Sequence, residues 1–347
     1  MSARVTIKDV ARKANVSVAT VSRVLNDNYS VRHDTKKKVH AASKQLGYVP
    51  NSIARSLKTQ STHTIGFVVS DISNTYHISI ARSIEDIIQR HNYSIILCST
   101  ENNRERELTY LKLLLSKNVD GLILNCSGKN DDFIMEMNQK LPTLLLNRRL
   151  KSKGFRGDFI DGNNFFGCYS LTKHLLAMGH RKIYAVTGPR HLSNGLERFS
   201  GFVKAMEESG VIVDEQYPWC FEGSFTLESG IEAVRYMCAM PDKPTAILTQ
   251  NNMTTIGLLK GMREKNIIAP EDISLAAYDG LDNLALLSTR PTVADFDTVA
   301  MGRKAGEAIL ERIQDNAIPN REFIFEPIII PGNAIGVPTD NLQRRTF

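Results

Sequence analysis

From residue 61 onward the sequence alternates short apolar runs with amphipathic stretches, and it does so in two successive series. The runs "TIGFVVS", "YSIILCS", "DGLILNC" and "PTLLLN" have the composition of buried strands, and stretches such as "ISIARSIEDIIQR" and "RERELTYLKLLLSK" separate them with helical periodicity. A second set, "KIYAVTG", "TAILTQ" and "ISLAAYD", is interleaved with "CYSLTKHLLAMG", "ERFSGFVKAMEESG", "ESGIEAVRYMCAM" and "MTTIGLLKGMREK". Strand alternating with helix implies parallel sheets covered on both faces, and two series imply two lobes. The late helix "AMGRKAGEAILERI" and the strand "EFIFEPIII" have no partners of their own in sequence, so they are expected to return across the lobes. The body is therefore expected over 61–339, with an N-lobe of about 61–162 and 294–321 and a C-lobe of about 163–293 and 322–339.

Ahead of this body lies a segment of different character. Residues 1–60 hold twelve Lys and Arg against three Asp, an excess of nine positive charges, while the remainder carries three more acids than bases. A small basic head before a mildly acidic body points to a polyanionic partner for the head alone, although a solvated lysine-rich face has the same charge. The residue pattern favours the first reading. In "TIKDVARKANVSVATVSRVLN", Ile7, Val10, Ala11 and Ala14 share one helical face. A tight turn follows at Asn15-Val16-Ser17, and Val21, Val24 and Leu25 then point inward from a second helix capped by Ser17. Two short helices joined in this way form a helix-turn-helix, whose second helix lies in the major groove of DNA. Arg23 is the candidate for a bidentate contact to guanine, and Val18 and Ala19 suit a thymine methyl. Thr20, Ser22 and Asn26 are placed to bond phosphates. A third helix in "TKKKVHAASKQLGYVP" closes the bundle through Val39, Ala42 and Leu46 and ends at Gly47. Thr6, Ser17, Tyr48, Asn51 and Ala54 complete the expected DNA-facing set, with an all-α head over 1–49 and a linker over 50–60.

Composition narrows the rest. At 347 residues and 42% hydrophobic, the chain can bury a full core and has room for more than one unit. It has no apolar run of membrane-spanning length, and "MSARVTIKDV" lacks the apolar core of a signal peptide, so a cytoplasmic location is expected. The five cysteines are odd in number and widely spread, which reads as reduced packing residues and neither a disulfide framework nor a metal site. Catalysis is the rival class, because two-lobed α/β bodies include kinases and dehydrogenases. Against it, the sequence has no G-x-x-x-x-G-K-[S/T], no strand-linked G-x-G-x-x-G, no G-x-S-x-G and no Cys/His cluster at metal spacing. No enzyme activity, cofactor or metal is expected.

"TIKDVARKANVSVATVSRVLN", then "GYVPNSIARSLKT" and "TIGFVVSDISN", resemble the lactose-repressor/galactose-repressor family of bacterial transcription regulators. "DGLIL", "GHRKIYAVTGP", "RFSGF" and "ISLAAYDG" follow in family order, so the likeness runs over nearly the whole chain. The resemblance implies a body like a periplasmic sugar-binding protein, a homodimer on near-palindromic double-stranded operator DNA, and a small effector in the cleft. It also implies that the linker orders as paired hinge helices only on DNA, with Leu57 wedged between base pairs and Arg55 and Lys58 near phosphates. The C-terminal "NAIGVPTDNLQRRTF" lacks leucine heptads, so dimers and not tetramers are expected.

Ligands of such sheets sit beyond the carboxyl ends of the strands. Polar residues occur there, among them Asp71, Asn147, Arg148, Gln250 and Asp279. By resemblance, Arg198 in "ERFSGF" matches the family's ligand-binding arginine, Asp279 in "AYDG" the aspartate opposite, and Phe225 an aromatic that packs on the ligand's face. Tyr76, His77 and Asn194 join the expected effector set. Several positions depart from the pattern. His77 stands where many members have Phe, which introduces a hydrogen bond or a pH-sensitive contact, and Gln250-Asn251 replaces a common Asn-Asp pair. Asn147-Arg148-Arg149 puts positive charge at an often acidic strand end. Leu192 and Asn194 stand where purine-binding members use polar base contacts, which argues against a purine. The cleft is thus expected to take a neutral or acidic ligand, with sugars, sugar acids and sugar phosphates as candidates. Control by a protein co-regulator, with no metabolite, is the alternative.

Overall fold

In the computed structural model, which describes residues 5–25, 31–48, 61–281 and 284–345, Thr6 starts the first helix by bonding to Asp9. Its backbone N–H donates to Asp9 Oδ2 at 2.9 Å and its hydroxyl donates to the same oxygen at 2.7 Å. Helix α1 runs Ile7–Ala14 and stops at Asn15, whose φ of 52° is the left-handed conformation that asparagine tolerates. Ser17 then accepts the N–H of Thr20 at 3.1 Å and caps α2, Val18–Leu25. Helix α3, His33–Leu46, begins two residues before the stretch expected from sequence and ends at Gly47, where φ is 62° and the Tyr48 N–H returns to the Ser43 carbonyl at 2.9 Å. Val10, Val21, Val24 and Val39 are essentially inaccessible and form the head's own small core. The chain divides into two compact units at Thr62/His63. Asn26 and the linker residues Asn51, Ala54, Arg55, Leu57 and Lys58 lie outside the described residues.

The body holds two six-stranded sheets. The first contains β1 (Thr64–Val69), β2 (Ser94–Ser99), β3 (Gly121–Leu124), β4 (Thr143–Leu146), β5 (Gly157–Gly162) and β11 (Glu322–Phe325), in the order β11-β5-β4-β3-β1-β2 and all parallel. The second contains β6 (Ile183–Thr187), β7 (Cys220–Glu222), β8 (Ala246–Thr249), β9 (Ser274–Tyr278), β10 (Thr292–Asp295) and β12 (Ile328–Ile330), in the order β12-β10-β9-β8-β6-β7, with β12 antiparallel. Helices α4 (Thr75–Ile88), α5 (Arg104–Ser116), α6 (Asp131–Asn138) and α11 (Thr298–Gln314) belong with the first sheet, and α7 (Asn164–Ala177), α8 (Ser193–Glu207), α9 (Leu227–Ala239) and α10 (Asn252–Glu264) with the second.

Two sequence expectations need correction. The stretch "EFIFEPIII" is not one strand in the C-lobe: Glu322–Phe325 pairs with β5 in the first sheet, and Ile328–Ile330 pairs with β10 in the second. Pro327 between them has no N–H to continue a ladder, which breaks the run where the chain changes lobe. The N-lobe therefore includes 322–325. Its helix α11 follows a crossing at Phe296-Asp297, because β10 stays in the second sheet as far as Asp295. Among the described residues the chain changes lobe three times, after β5, β10 and β11.

Candidate functional site

A cavity of about 660 Å³ opens between the two sheets of the body, at the carboxyl ends of their strands. From the N-lobe it is lined by Asp71 after β1, Tyr76 and His77 on the first turn of α4, Asn125 after β3, and Asn147 and Arg148 after β4. From the C-lobe come Asn194 and Arg198 on α8, Phe225 after β7, Asn251 after β8 and Asp279 after β9. The structure thus brings together nine of the ten residues that the sequence proposed for the effector. Gln250 is the exception: it is fully buried, does not line the cavity, and offers its backbone carbonyl to Arg198 Nη1 at 2.6 Å.

Arg198 is the centre of the C-lobe wall. Its guanidinium lies 3.9 Å from the centre of the Tyr278 ring and 5.4 Å from that of Phe225. Nε donates to Asn164 Oδ1 at 2.8 Å, and Nη1 is 3.6 Å from Asp279 Oδ2. Both side chains are 8% exposed; burial works against the arginine's charge, and the neighbouring Asp279 carboxylate outweighs it and keeps the guanidinium charged. Burial pushes the Asp279 carboxyl up, and the Arg198 charge opposes that push. Asn147, Phe225 and Asp279 have φ of 63°, 62° and 70°, a conformation costly for a bulky side chain and often found where a site over-determines the backbone. Phe225 closes on Gly188, where any Cβ would come within 1.9 Å of its ring.

The N-lobe wall is a hydrogen-bonded array with gaps in it. The Tyr76 hydroxyl donates to Asn147 Oδ1 at 2.9 Å, and burial holds that phenol protonated. His77 Nε2 is 2.9 Å from the Ser70 hydroxyl. Burial, reinforced by the Arg148 charge, lowers the His77 pKa to about 3, so this ring is neutral near pH 7, and of the two contacts expected from sequence the hydrogen bond is the one present. Arg148 lines the cavity, whereas Arg149 turns away to pair with Glu322 at 2.6 Å and to stack 3.8 Å from the Phe159 ring centre. Asn74 caps α4 by accepting the Tyr76 N–H at 3.0 Å, and it exchanges amide hydrogen bonds with Asn252 of the other lobe at 3.1 and 2.8 Å. Sequence reasoning did not include Glu101 and Asn102, which also line the cavity. They follow the end of β2, so the strand-end rule applied to "YSIILCS" as to its neighbours would have found them.

In the head, α2 turns Val21 and Val24 inward and leaves Val18 41% exposed, with Ala19 and Arg23 also exposed. Ser22 and Tyr48 are partly buried. The Ser17 and Thr20 hydroxyls share a 2.8 Å bond, so only one of their two hydrogens is left for a phosphate. The Thr6 hydroxyl hydrogen is committed to Asp9, whose carboxyl that bond holds below its ordinary range.

A helix-turn-helix followed by a two-lobed body with a polar interlobe cavity defines a ligand-responsive DNA-binding protein. The chain belongs to the LacI family of bacterial regulatory proteins and is a DNA-binding transcriptional regulator: residues 6–51 match that family's regulatory-protein model, and residues 62–333 match the periplasmic binding proteins and sugar-binding domain of the LacI family. It is 36% identical over 327 residues to the HTH-type transcriptional repressor PurR of Photobacterium profundum, covering 94% of this chain and 97% of that protein. In structure it resembles the lac repressor dimer bound to operator and the anti-inducer ONPF, with a TM-score of 0.82, 24% identity, and 96% and 100% of the two chains covered. A LacI family regulator from Enterococcus faecium with bound ribose gives a TM-score of 0.70 at 26% identity, over 80% of this chain and 99% of that one.

Proposed function

We propose that the protein is a homodimeric, cytoplasmic repressor of a carbohydrate-utilisation operon, and that a small hydroxyl-rich effector in the interlobe cavity sets its operator affinity. The observation that carries this reading is the cavity wall: Arg198, with Nε and Nη1 already bonded, offers its Nη2 donors beside the Asp279 carboxylate, Asn147 faces them from the other lobe, and Phe225 supplies an apolar face. Sugar hydroxyls need that mixture of paired donors and acceptors. The repressor name of the relatives supports the repressor role, and the ribose in the Enterococcus protein supports a sugar ligand. No group in this arrangement is assigned a bond-making step, and the chain is read as a regulator and not an enzyme.

Because the cavity has walls from both lobes, an effector that prefers one lobe arrangement shifts the population toward it. The Asn74/Asn252 clasp is one contact such a shift would strain or tighten. A coupling of about 1–3 kcal/mol changes operator affinity roughly 5- to 150-fold. At the DNA, Arg23 reads a base, Val18 and Ala19 contact methyl groups, and the linker with Leu57 transmits the lobe arrangement to the paired heads. Fluorescence anisotropy on near-palindromic operator DNA, with sugars, sugar acids, sugar phosphates and purines as additives, tests the proposal. A sugar-class compound is expected to shift the affinity and purines are not. Affinity that ignores every metabolite but rises with a partner protein would replace this reading with control by a co-regulator.

A further inference from the structure

The two arginines of the cavity are not equivalent. Arg198 has its counter-charge in Asp279. Arg148 is 3% exposed, and among the described residues no carboxylate oxygen lies within 4 Å of its guanidinium. Nη1 donates to Asn102 Oδ1 at 2.6 Å and to the Cys126 carbonyl at 3.0 Å, both neutral acceptors, and Nε has no acceptor. The nearby buried acid Glu107 does not pair with it, since its two oxygens are occupied by the Ser127 N–H and hydroxyl and by the Asn130 amide at 2.6–2.7 Å. A buried cation bonded only to neutral groups is costly unless something supplies the missing charge. Burial lowers its pKa only to about 10, so it remains charged at neutral pH.

Two further polar atoms on the same wall have no partner: His77 Nδ1 and Asn125 Oδ1. Asn125 and Arg148 follow the adjacent strands β3 and β4, and His77 faces them from α4. The Ser70 hydroxyl and His77 Nε2 share one hydrogen; in the tautomer whose Nε2 accepts it, the neutral ring carries its own hydrogen on Nδ1 and can donate to a ligand. Asn125 Oδ1 is an acceptor and suits a hydroxyl.

We infer that Arg148 and His77 form an oxyanion subsite at the N-lobe end of the cavity, with Asn125 Oδ1 accepting from a neighbouring hydroxyl, so that the effector is a hydroxyl-bearing anion, a sugar carboxylate or a sugar phosphate. This rests on the reading of the cavity as the effector site. Glu107 and Asp161 act on Arg148 only through space, and Asp71 and Glu101 line the same cavity without pairing with it, so a neutral ligand would seal Arg148 in with no carboxylate in contact, while an anion would supply the contact that Asp279 makes with Arg198.

Calorimetry on the full chain with matched sets tests it: glucose, glucuronate and glucose 6-phosphate, and ribose with ribose 5-phosphate. Thermal shift with inorganic phosphate against chloride at equal ionic strength tests the subsite without a sugar. An anionic member is expected to bind at least about tenfold tighter than its neutral parent, and phosphate alone is expected to raise the melting temperature. Arg148→Met and Arg148→Gln are expected to weaken the anionic members about tenfold or more beyond any effect on the parents. The carboxylate and phosphate arms identify which anion is used. A neutral parent binding as tightly as its anionic relatives overturns the subsite and leaves the cavity reading intact. Silence from every sugar and from phosphate overturns both. If the variants do not fold, the wild-type ratios and the phosphate shift decide.

Discussion

Arg198→Met removes one partner of a buried ion pair and leaves Asp279 in place. Both side chains are 8% exposed, so water cannot replace the guanidinium, and breaking such a pair costs about 3–5 kcal/mol. The Gln250 carbonyl also loses its 2.6 Å donor, while Asn164 Oδ1 keeps the Tyr278 hydroxyl at 3.0 Å. If the unmatched charge dominates the loss, removing it as well should help. The double variant Arg198→Met/Asp279→Leu is therefore expected to be more stable than Arg198→Met by at least about 1 kcal/mol. Urea unfolding followed by the single tryptophan, Trp219, reports on the lobe that holds both residues, because its indole is anchored to the Asp242 carbonyl at 2.9 Å. Acidity supplies a second readout. Burial already raises the Asp279 carboxyl above 3.8, and without Arg198 only the hydrogen bonds from Asn252 and Asn251 are left to oppose that shift. A raised carboxyl favours the fold below the unfolded pKa and loses that contribution as pH rises through the folded pKa. The single variant should thus be closer to wild type at pH 4.5 than at pH 7, changing by up to about 1.4 kcal/mol per pH unit, and the double should not. A deficit independent of pH, or a double variant as unstable as the two singles added, would refute the reasoning.

Three other outcomes are expected. His77 has a folded pKa of about 3 against an ordinary 6.5, so the unfolded chain binds the extra proton between those values, and stability falls as pH drops through that window; His77→Gln should flatten the fall, as urea midpoints between pH 4 and 7 would show. Asp9, held low by Thr6, supports the start of α1 above the ordinary carboxylate pKa and loses that support as pH falls through the lowered value, and Asp9→Asn should speed amide exchange at Val10 near neutral pH. Arg23→Ala should cost about 1–3 kcal/mol of discrimination at one operator base pair, measured by competition with single-base operator variants, and little elsewhere.

The strands most legible in the sequence were the purely apolar ones, because a strand buried on both faces reads as an unbroken hydrophobic run. Strand β5 did not read as one, since "GDFIDG" carries Asp158 and Asp161, yet all six of its residues are buried. Asp158 is tolerated there because Arg312 and Arg321 bond both of its oxygens at 2.8–3.2 Å, and those arginines lie more than 150 residues further along. A charge pair of that separation leaves no local signal. The cavity residues were legible wherever a strand end or a family motif marked them. The role of Gln250 was not, because whether a side chain faces the cavity or the interior depends on the turn after β8. Of two adjacent arginines the sequence reading put Arg148 and not Arg149 in the effector set, and Arg148 lines the cavity while Arg149 pairs with Glu322.

The three crossings between lobes have a consequence for how such proteins can be altered. Each lobe is assembled from segments far apart in the chain, the first from 63–162, 298–314 and 322–325 and the second from most of the rest. Neither can be expressed as one continuous fragment, and exchanging a lobe with a relative requires splicing at all three junctions together. New ligand specificity is therefore expected to arise through point changes along the walls and not by shuffling whole modules, whereas the head, contiguous in the chain and with a core of its own, can be exchanged in a single cut.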